Sequence, residues 1–503
     1  MKVARAWSVA LVGMEGALVE VEAAIASGLP RTVLVGLPDA ALYEARDRCR
    51  AAMNSVKFGW PSDPVTINLS PAFLPKTGTH YDLSIVAAVG AAKGLCPVDA
   101  LDRRVLLGEL GLDGRVRAVR GLLPAVLAAT QHGFERIVVP AGQMREAALV
   151  EGLEVVGVED VMELFSVLCG APGASPPPPL ASSTPDEPEK DLADVAGQLE
   201  AKWALEVAAA GRHHLFLHGP PGVGKTLLAE RLPGVLPDLV PEESREVSAI
   251  HSLVGHSLDA GLITRPPYSS PHHSVSLPAL VGGGHKVAQP GAVSLAHRGV
   301  LFLDEAPEFS PRLMDSLRVP LESGRIVIAR SAATTVYPAR FQMVLAANPC
   351  PCGMAFTAGA QCHCAPMAVR RYGERVSMPI RDRVDIHQHL KPLRKSFLKL
   401  AMQASEPSAA VAERVRLARE RQRRRLRPYG LQVNGEIPGG VLRKQLPLPE
   451  DVERLEHAVL LGELSARGVD KVLRLAWTIA DLAGAYLPDG GHLDTALAMR
   501  RGE

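Results

Sequence analysis

The chain has 503 residues, 22% charged and 47% hydrophobic, which is soluble globular composition over a length that implies roughly three domains rather than one core. Lys plus Arg number 55 against 54 Asp plus Glu, a balance that neither demands nor excludes a polyanionic partner, since a local basic patch suffices. Aromatics at 4% argue against an aromatic stacking platform as the main device for holding single strands.

The opening "MKVARAWSVALVGMEGALVEVEAAI" reads as strand and not as a signal peptide. Glu15 cuts the apolar stretch, Val and Glu alternate after it, and no small-residue cleavage site follows. No run approaches the ~18 apolar residues of a membrane span. Seven cysteines, four of them clustered, fit a reducing compartment, so a cytoplasmic location without a membrane partner is expected.

Residues 1–169 alternate strand-like runs ("RTVLVGLP", "DPVTINLSP", "ERIVVPAG") with helix-like ones ("HYDLSIVAAVGAAKGL", "LLPAVLAATQHG"), as in a self-contained α/β domain. Residues 170–190, "GAPGASPPPPLASSTPDEPEK", are Pro-, Ser- and Ala-rich and read as a linker. A second α/β segment covers 191–393, and a mostly helical region, 394–503, follows.

In the second segment, Gly219-Pro220-Pro221-Gly222-Val223-Gly224-Lys225-Thr226 fits G-x-x-x-x-G-K-[ST]. A buried-strand candidate, "HHLFLH", precedes it, and "TLLAERL" opens a helix after it. Glycines there let backbone N–H groups approach phosphates, and the helix N-terminus adds a favourable dipole. Lys225 is expected on the β/γ-phosphates and Thr226 on Mg²⁺, which makes ATP and Mg²⁺ the expected ligands.

His272 and His273 lie in "PHHSVSLPALVGGG"; on an extended segment they point to opposite faces and make poor co-ligands, so an inserted loop or hairpin is the reading. In "GVLFLDEAPEF" an apolar strand ends in Asp304 and Glu305, at the sheet edge where ligands bind. Asp304 is the expected Mg²⁺ ligand and Glu305 the general base. "SGRIVIARSAATTVYPARF" is a candidate hairpin, with Arg325, Arg330 and Arg340 available to a phosphate backbone or simply to solvent. A third strand, "FQMVLAANP", ends in Asn348, an amide placed to position lytic water or sense the γ-phosphate.

Cys350, Cys352, Cys362 and Cys364 offer four thiolates for a structural Zn²⁺. Their C-x-C spacing is tighter than usual, and free reduced cysteines in a Gly-rich finger remain the alternative. Arg414 to Arg427 hold eight arginines in fourteen residues, broken by Glu420 and preceded by Glu413. On a helix this is a nucleic-acid candidate, with a solvated lid helix as its competitor.

The set Lys225/Thr226, Asp304/Glu305 and Asn348 resembles the AAA+ ATPases, and more narrowly the magnesium-chelatase-like group known as YifB or ComM. The blocks "DLADVAGQLEAKWALEVAAAG", "ITRPPYSSPHHSVSLPALVGGG", "PGAVSLAHRGVLFLDEAPEF", "NPCPCG", "DRVDIH" and "LSARGVDKVLRLAWTIADLAG" carry the likeness. It implies a central AAA+ P-loop domain followed by an α-helical lid. It also implies that Arg383 is an arginine finger acting on a neighbouring subunit's nucleotide. Arg467 would be a lid arginine contacting the nucleotide of its own subunit. A shared site implies a homo-oligomer, by analogy a hexameric ring. Trp203 and Trp477 depart from the group, standing where it often has Arg.

Residues 1–169 resemble the Lon protease catalytic fold (ribosomal S5 domain 2-like) that this group shares. Lon chemistry needs a Ser nucleophile and a Lys base. Here the corresponding positions fall on His80 and Leu123; Lys76 and Ser84 offer themselves as substitutes, but a lone Lys and Ser at this spacing read as surface residues. A non-peptidase scaffold is therefore expected.

The resemblance implies a ring ATPase that unwinds or branch-migrates single-stranded or branched DNA, alongside recombination proteins, in recombination or natural transformation. The alternative is a chelatase-type motor remodelling a partner enzyme for metal insertion. An ATP-dependent protease is disfavoured by the missing Ser–Lys pair.

Overall fold

The computed structural model describes residues 2–36, 40–76, 78–174, 177, 190–284, 287–355, 361–392, 405–449, 451–462 and 464–502. The expected linker at 170–190 lies largely outside the described residues. The fold is mixed α/β with a helical C-terminal region.

Nine strands come first: β1 (Lys2–Val12), β2 (Glu15–Ile25), β3 (Thr32–Val35), β4 (Val65–Ser70), β5 (Arg104–Leu106), β6 (Glu109–Leu110), β7 (Val116–Arg117), β8 (Arg136–Pro140) and β9 (Glu154–Val158). Seven of them form one sheet in the order β3-β4-β2-β1-β5-β8-β9. The alternation read in the opening sequence is the antiparallel β1–β2 hairpin, turned at Gly13 with φ 69°. The helix Asp82–Lys93 is buried nearly all round and shares one core with Val21 of β2 and Ile67 of β4. That burial explains its continuous apolar run, which lacks a polar face.

The second sheet is wholly parallel. It comprises β10 (Leu215–His218), β11 (Tyr268–Ser269), β14 (Val300–Leu303), β17 (Gln342–Ala347) and β18 (Ile386–His389), in the order β11-β14-β17-β10-β18. Two short hairpins stand apart from it, β12 (Gly282–Gly283) with β13 (Gln289–Pro290), and β15 (Arg325–Ala329) with β16 (Thr334–Pro338). The second is the hairpin expected from sequence. Val300 to Leu303 of β14 are all buried, as a two-faced parallel strand requires.

Helices Ser408–Leu426, Ala466–Ala483 and Gly490–Arg501 form the C-terminal region, and their apolar faces share a core with the helix Leu199–Gly211. Trp477 is buried there with the Arg425 guanidinium 4.2 Å from its ring centroid. Much of the arginine run belongs to this packing, as the lid-helix alternative expects. Six of the eight arginines engage the protein itself. Arg414 forks onto Glu206 at 2.7 and 2.8 Å, Arg425 onto Asp481 at 2.6 and 2.7 Å, and buried Arg419 reaches the Ala209 carbonyl. Bidentate guanidinium–carboxylate pairs hold these side chains in place and spend their charge internally.

The two α/β units meet along one seam. Leu123 packs with Ala249 and Leu258. The Gly121 amide donates to the Ser252 carbonyl at 2.9 Å, and the Ser252 hydroxyl donates to Glu146 at 2.6 Å. The Leu123 amide also donates to Glu146, at 3.2 Å. Burial raises the Glu146 carboxyl above its ordinary pKa.

Candidate nucleotide-binding site

The P-loop follows β10 and leads into the helix Lys225–Arg231, at the carboxyl edge of the parallel sheet. Gly222 and Gly224 have φ of 77° and 96°, and a Cβ on either would meet nothing within 4 Å. Their backbone therefore borders open space, which fits a phosphate chain. Gly219 is different: a Cβ there would lie 2.6 Å from the Leu390 carbonyl, so close packing against the end of β18 requires glycine. Gln198 ties the loop down, its amide donating to the carbonyls of Val223 (3.2 Å) and Lys391 (2.9 Å).

Lys225 is buried. Its ammonium donates to the carbonyls of Gly219 (2.7 Å) and Pro220 (2.9 Å) and to Asn348 Oδ1 (3.0 Å). Burial lowers its pKa, opposed by the charges of Asp304 and Glu305. The Thr226 hydroxyl donates to Asp304 Oδ2 at 2.8 Å. The strand order explains both contacts. Strand β17 lies between β10 and β14, so Asn348 at its end stands between the P-loop and the acidic pair. Four sequence-predicted positions thus converge on one sheet edge.

Glu305 has left-handed backbone, φ 51° and ψ 44°, and its amide donates to Asp304 Oδ1 at 2.9 Å. A non-glycine residue held there is strained, and such strain gathers at functional positions. Its carboxylate lies 3.5 Å from His273 Nδ1. The two histidines are not splayed on an extended strand, as their sequence suggested. They occupy a turn, with ring centroids 4.0 Å apart, and one of them faces the acidic pair. His273 and Gln198 were both missed as site residues; the signal was their presence in the quoted family blocks.

Arg383 and Arg467 lie elsewhere. Arg383 binds Glu322 and donates to the Pro379 carbonyl at 2.7 Å, and Arg467 lies 3.6 Å from the same Glu322. Both line a cavity of about 550 Å³ with His214, Phe341 and Asp385, which precede β10, β17 and β18. This is the amino edge of the sheet, opposite the P-loop. A four-residue strand separates the edges by roughly 13 Å. Arg467 thus lies beside Arg383 at the edge away from its own P-loop. The physical reason is how the helical region docks. Lys471, one helical turn beyond Arg467, pairs with buried Asp385 at 2.5 Å and donates to the Arg383 carbonyl at 2.8 Å. Burial alone would raise the Asp385 carboxyl. The Lys471 ammonium, with His213 and His214, outweighs it and holds the pKa well below the usual carboxylate range.

The sulfurs of Cys350, Cys352, Cys362 and Cys364 lie within 4.8 Å of one another. A hydrogen bond from the Met354 amide, then Cys350 and Cys364, lowers the Cys352 thiol to about 6. In the first unit, His80 is buried and its pKa is lowered by burial to about 4. Lys76 and Ser84 are buried and not, as expected, at the surface. Lys76 donates to the carbonyls of Gly36, Pro71 and Leu74, and Ser84 to that of Tyr81.

Comparison with known proteins places this geometry. The model described as "Magnesium chelatase, subunit ChlI" matches residues 191–398, its C-terminal counterpart 405–500, and "Subunit ChlI of Mg-chelatase" 21–143. An uncharacterized protein of Mycobacterium tuberculosis is 51% identical over 100% of this chain and 99% of its own length. The uncharacterized protein YifB of Escherichia coli is 39% identical over 98% of this chain and 96% of its own. Competence protein ComM of Haemophilus influenzae is 37% identical over 99% and 98%. Full-length identity at this level, joined to a P-loop on a parallel sheet, means that the chain belongs to the YifB/ComM family of magnesium-chelatase-like AAA+ proteins.

Proposed function

We propose that the chain is an ATP-hydrolysing motor whose active site is completed by a neighbouring copy, and that it drives branch migration or unwinding of DNA. The observation that carries this reading is the division of the expected machinery between the two edges of one sheet. Lys225, Thr226, Asp304, Glu305 and Asn348 stand at one edge, and Arg383 with Arg467 at the other. Copies packed head to tail bring one chain's arginines to the next chain's P-loop, and such contacts close into rings. By family analogy the ring is a hexamer.

In this mechanism the backbone amides of Gly222, Val223 and Gly224 wrap the phosphates, and Lys225 exchanges its three oxygen partners for β/γ-phosphate oxygens. Thr226 and Asp304, already 2.8 Å apart, are the residues that would hold Mg²⁺. When bound, that ion supplies neutralisation of phosphate charge. Glu305 takes a proton from the attacking water, and Asn348 orients it. Arg383 and Arg467 stabilise the transition-state charge on the neighbouring nucleotide. Removing such a guanidinium costs roughly 10³–10⁵ in rate.

DNA as the track is supported by the relative named a competence protein. Arg325 on the β15–β16 hairpin offers phosphate contacts, whereas Arg330 donates to the Gly284 carbonyl. The test is ATPase activity with and without single-stranded or four-way-junction DNA, together with strand displacement. Stimulation that weakens with salt, by about −0.7 per neutralised phosphate on single strands, is expected. No DNA effect, with stimulation by a protein partner instead, would favour a chelatase-like remodelling motor.

A further inference from the structure

We propose that Cys350, Cys352, Cys362 and Cys364 bind one Zn²⁺, and that the resulting knuckle braces the P-loop through Gly353 and Pro221. The first half stands on the sulfur geometry. Contacts of 3.3 Å (Cys350–Cys352), 3.6 Å (Cys352–Cys362) and 3.8 Å (Cys350–Cys362) form a closed triangle. Zn–S bonds of about 2.3 Å in a tetrahedron give S···S edges of about 3.8 Å. Disulfides cannot account for the triangle, because each sulfur pairs with one other at about 2.05 Å. Three mutually touching thiols gather instead around a common centre. The Ala355 amide donates to the buried Cys350 sulfur at 3.2 Å, as backbone amides do around metal-bound thiolates. An all-thiolate tetrahedral set suits Zn²⁺ over harder cations.

The second half stands on what the knuckle touches, and it rests on the nucleotide-site reading above. Asn348, bonded to Lys225, directly follows β17 and is two residues before Cys350, so the chain passes from the P-loop lysine's partner straight into the knuckle. The knuckle turn closes through the Gly353 amide on the Cys350 carbonyl at 2.9 Å, with Gly353 at φ 78°. A Cβ on Gly353 would lie 2.6 Å from Pro221 Cδ, so the turn rests directly on the loop. Holding four sulfurs on one ion fixes this turn and, through it, one wall of the phosphate cradle.

The test uses the full-length chain purified without chelator. Elemental analysis is expected to find one zinc per chain. Co²⁺ in its place is expected to give the visible absorption of a tetrahedral thiolate complex. The four thiols should resist alkylation until a chelator is added. Less than a tenth of a zinc per chain (an order-of-magnitude threshold), with no visible band from Co²⁺, would overturn the metal site. For the brace, binding of a fluorescent ATP analogue is measured before and after chelation, with far-UV circular dichroism reporting the fold. Metal removal should weaken binding roughly tenfold while the fold persists. Gly353→Ala separates the two halves: it should keep its zinc and still weaken nucleotide binding. Unchanged affinity in both the chelated chain and Gly353→Ala would overturn the brace. If the wild-type chain binds no nucleotide, the motor reading fails, while the zinc count still decides the site.

Discussion

His273 Nδ1 lies 3.5 Å from Glu305 Oε2, so a histidine from the loop after β11 touches the carboxylate at the end of β14. Its ring also meets Phe309 edge-on at 6.4 Å and lies against the His272 ring at 4.0 Å, tilted by 35°, which limits where the imidazole can move. A base oriented by a third group is a recurring arrangement in catalysis. With Glu305 as the proposed base, His273 would be a positioning residue. His273→Ala should lower kcat by up to about a hundredfold while leaving nucleotide affinity unchanged. His273→Gln should recover part of the loss. Equal falls in affinity and kcat would point to a structural role instead.

Substitutions at the P-loop and the acidic pair separate binding from chemistry. Lys225→Ala removes the ammonium that holds Gly219, Pro220 and Asn348 together, and nucleotide binding should be lost. Glu305→Gln should retain binding and lower turnover by about 10²–10⁴. Equilibrium binding and single-turnover hydrolysis distinguish the two. Undiminished hydrolysis by Glu305→Gln would remove it from the role of base.

The pairing of Arg383 and Arg467 on Glu322 leads to a subunit-mixing experiment. Chains carrying Lys225→Ala keep intact arginines, and chains carrying Arg467→Ala keep an intact P-loop. If Arg467 serves the neighbour, mixing the two inactive variants regenerates part of the ATPase activity. If it serves its own nucleotide, every P-loop in the mixture lacks one partner and activity stays absent. The same mixture with Arg383→Ala should also recover.

The ion pair of Lys471 and Asp385 sets a pH dependence whose sign reverses on mutation. In the wild type the folded pKa of Asp385 lies below its ordinary 3.8, so the pair's stability is present above that value. It is lost as pH falls through the depressed folded pKa. Lys471→Met leaves a buried carboxylate uncompensated and should cost about 3–5 kcal/mol at neutral pH. In that variant burial raises the Asp385 pKa, so stability is highest in acid and falls as pH rises through the raised value. Urea midpoints from pH 3 upward check both slopes (roughly the range spanning an ordinary Asp pKa). A parallel pair of curves would contradict this account.

What could be read from the sequence follows the range of the interactions. The P-loop and the strand ending in Asp304 and Glu305 are local patterns, each set by a few adjacent residues, and the structure brings them together through one parallel sheet. The β15–β16 hairpin was legible as well, because both strands lie within one short stretch of β-branched residues. The orientation of Arg467 was not, because it depends on Lys471 finding Asp385 far back in the chain. The arginine run stayed ambiguous for the same reason. Arg414 and Arg425 are held by Glu206 and Asp481, which no local window includes. His273 was read from a strand-like geometry, and a turn placed it differently.

The seam between Leu123 and the helix Pro241–Leu253 has a practical corollary. At the position where a Lon-type enzyme would need a lysine, this chain has a leucine already covered by its own second unit. Cutting the first 169 residues away would bare Ala249 and Leu258 to water and strip the Ser252 hydroxyl of its carboxylate acceptor. A truncated version is therefore expected to be sticky and poorly behaved, and the full chain is the sensible starting point for biochemistry.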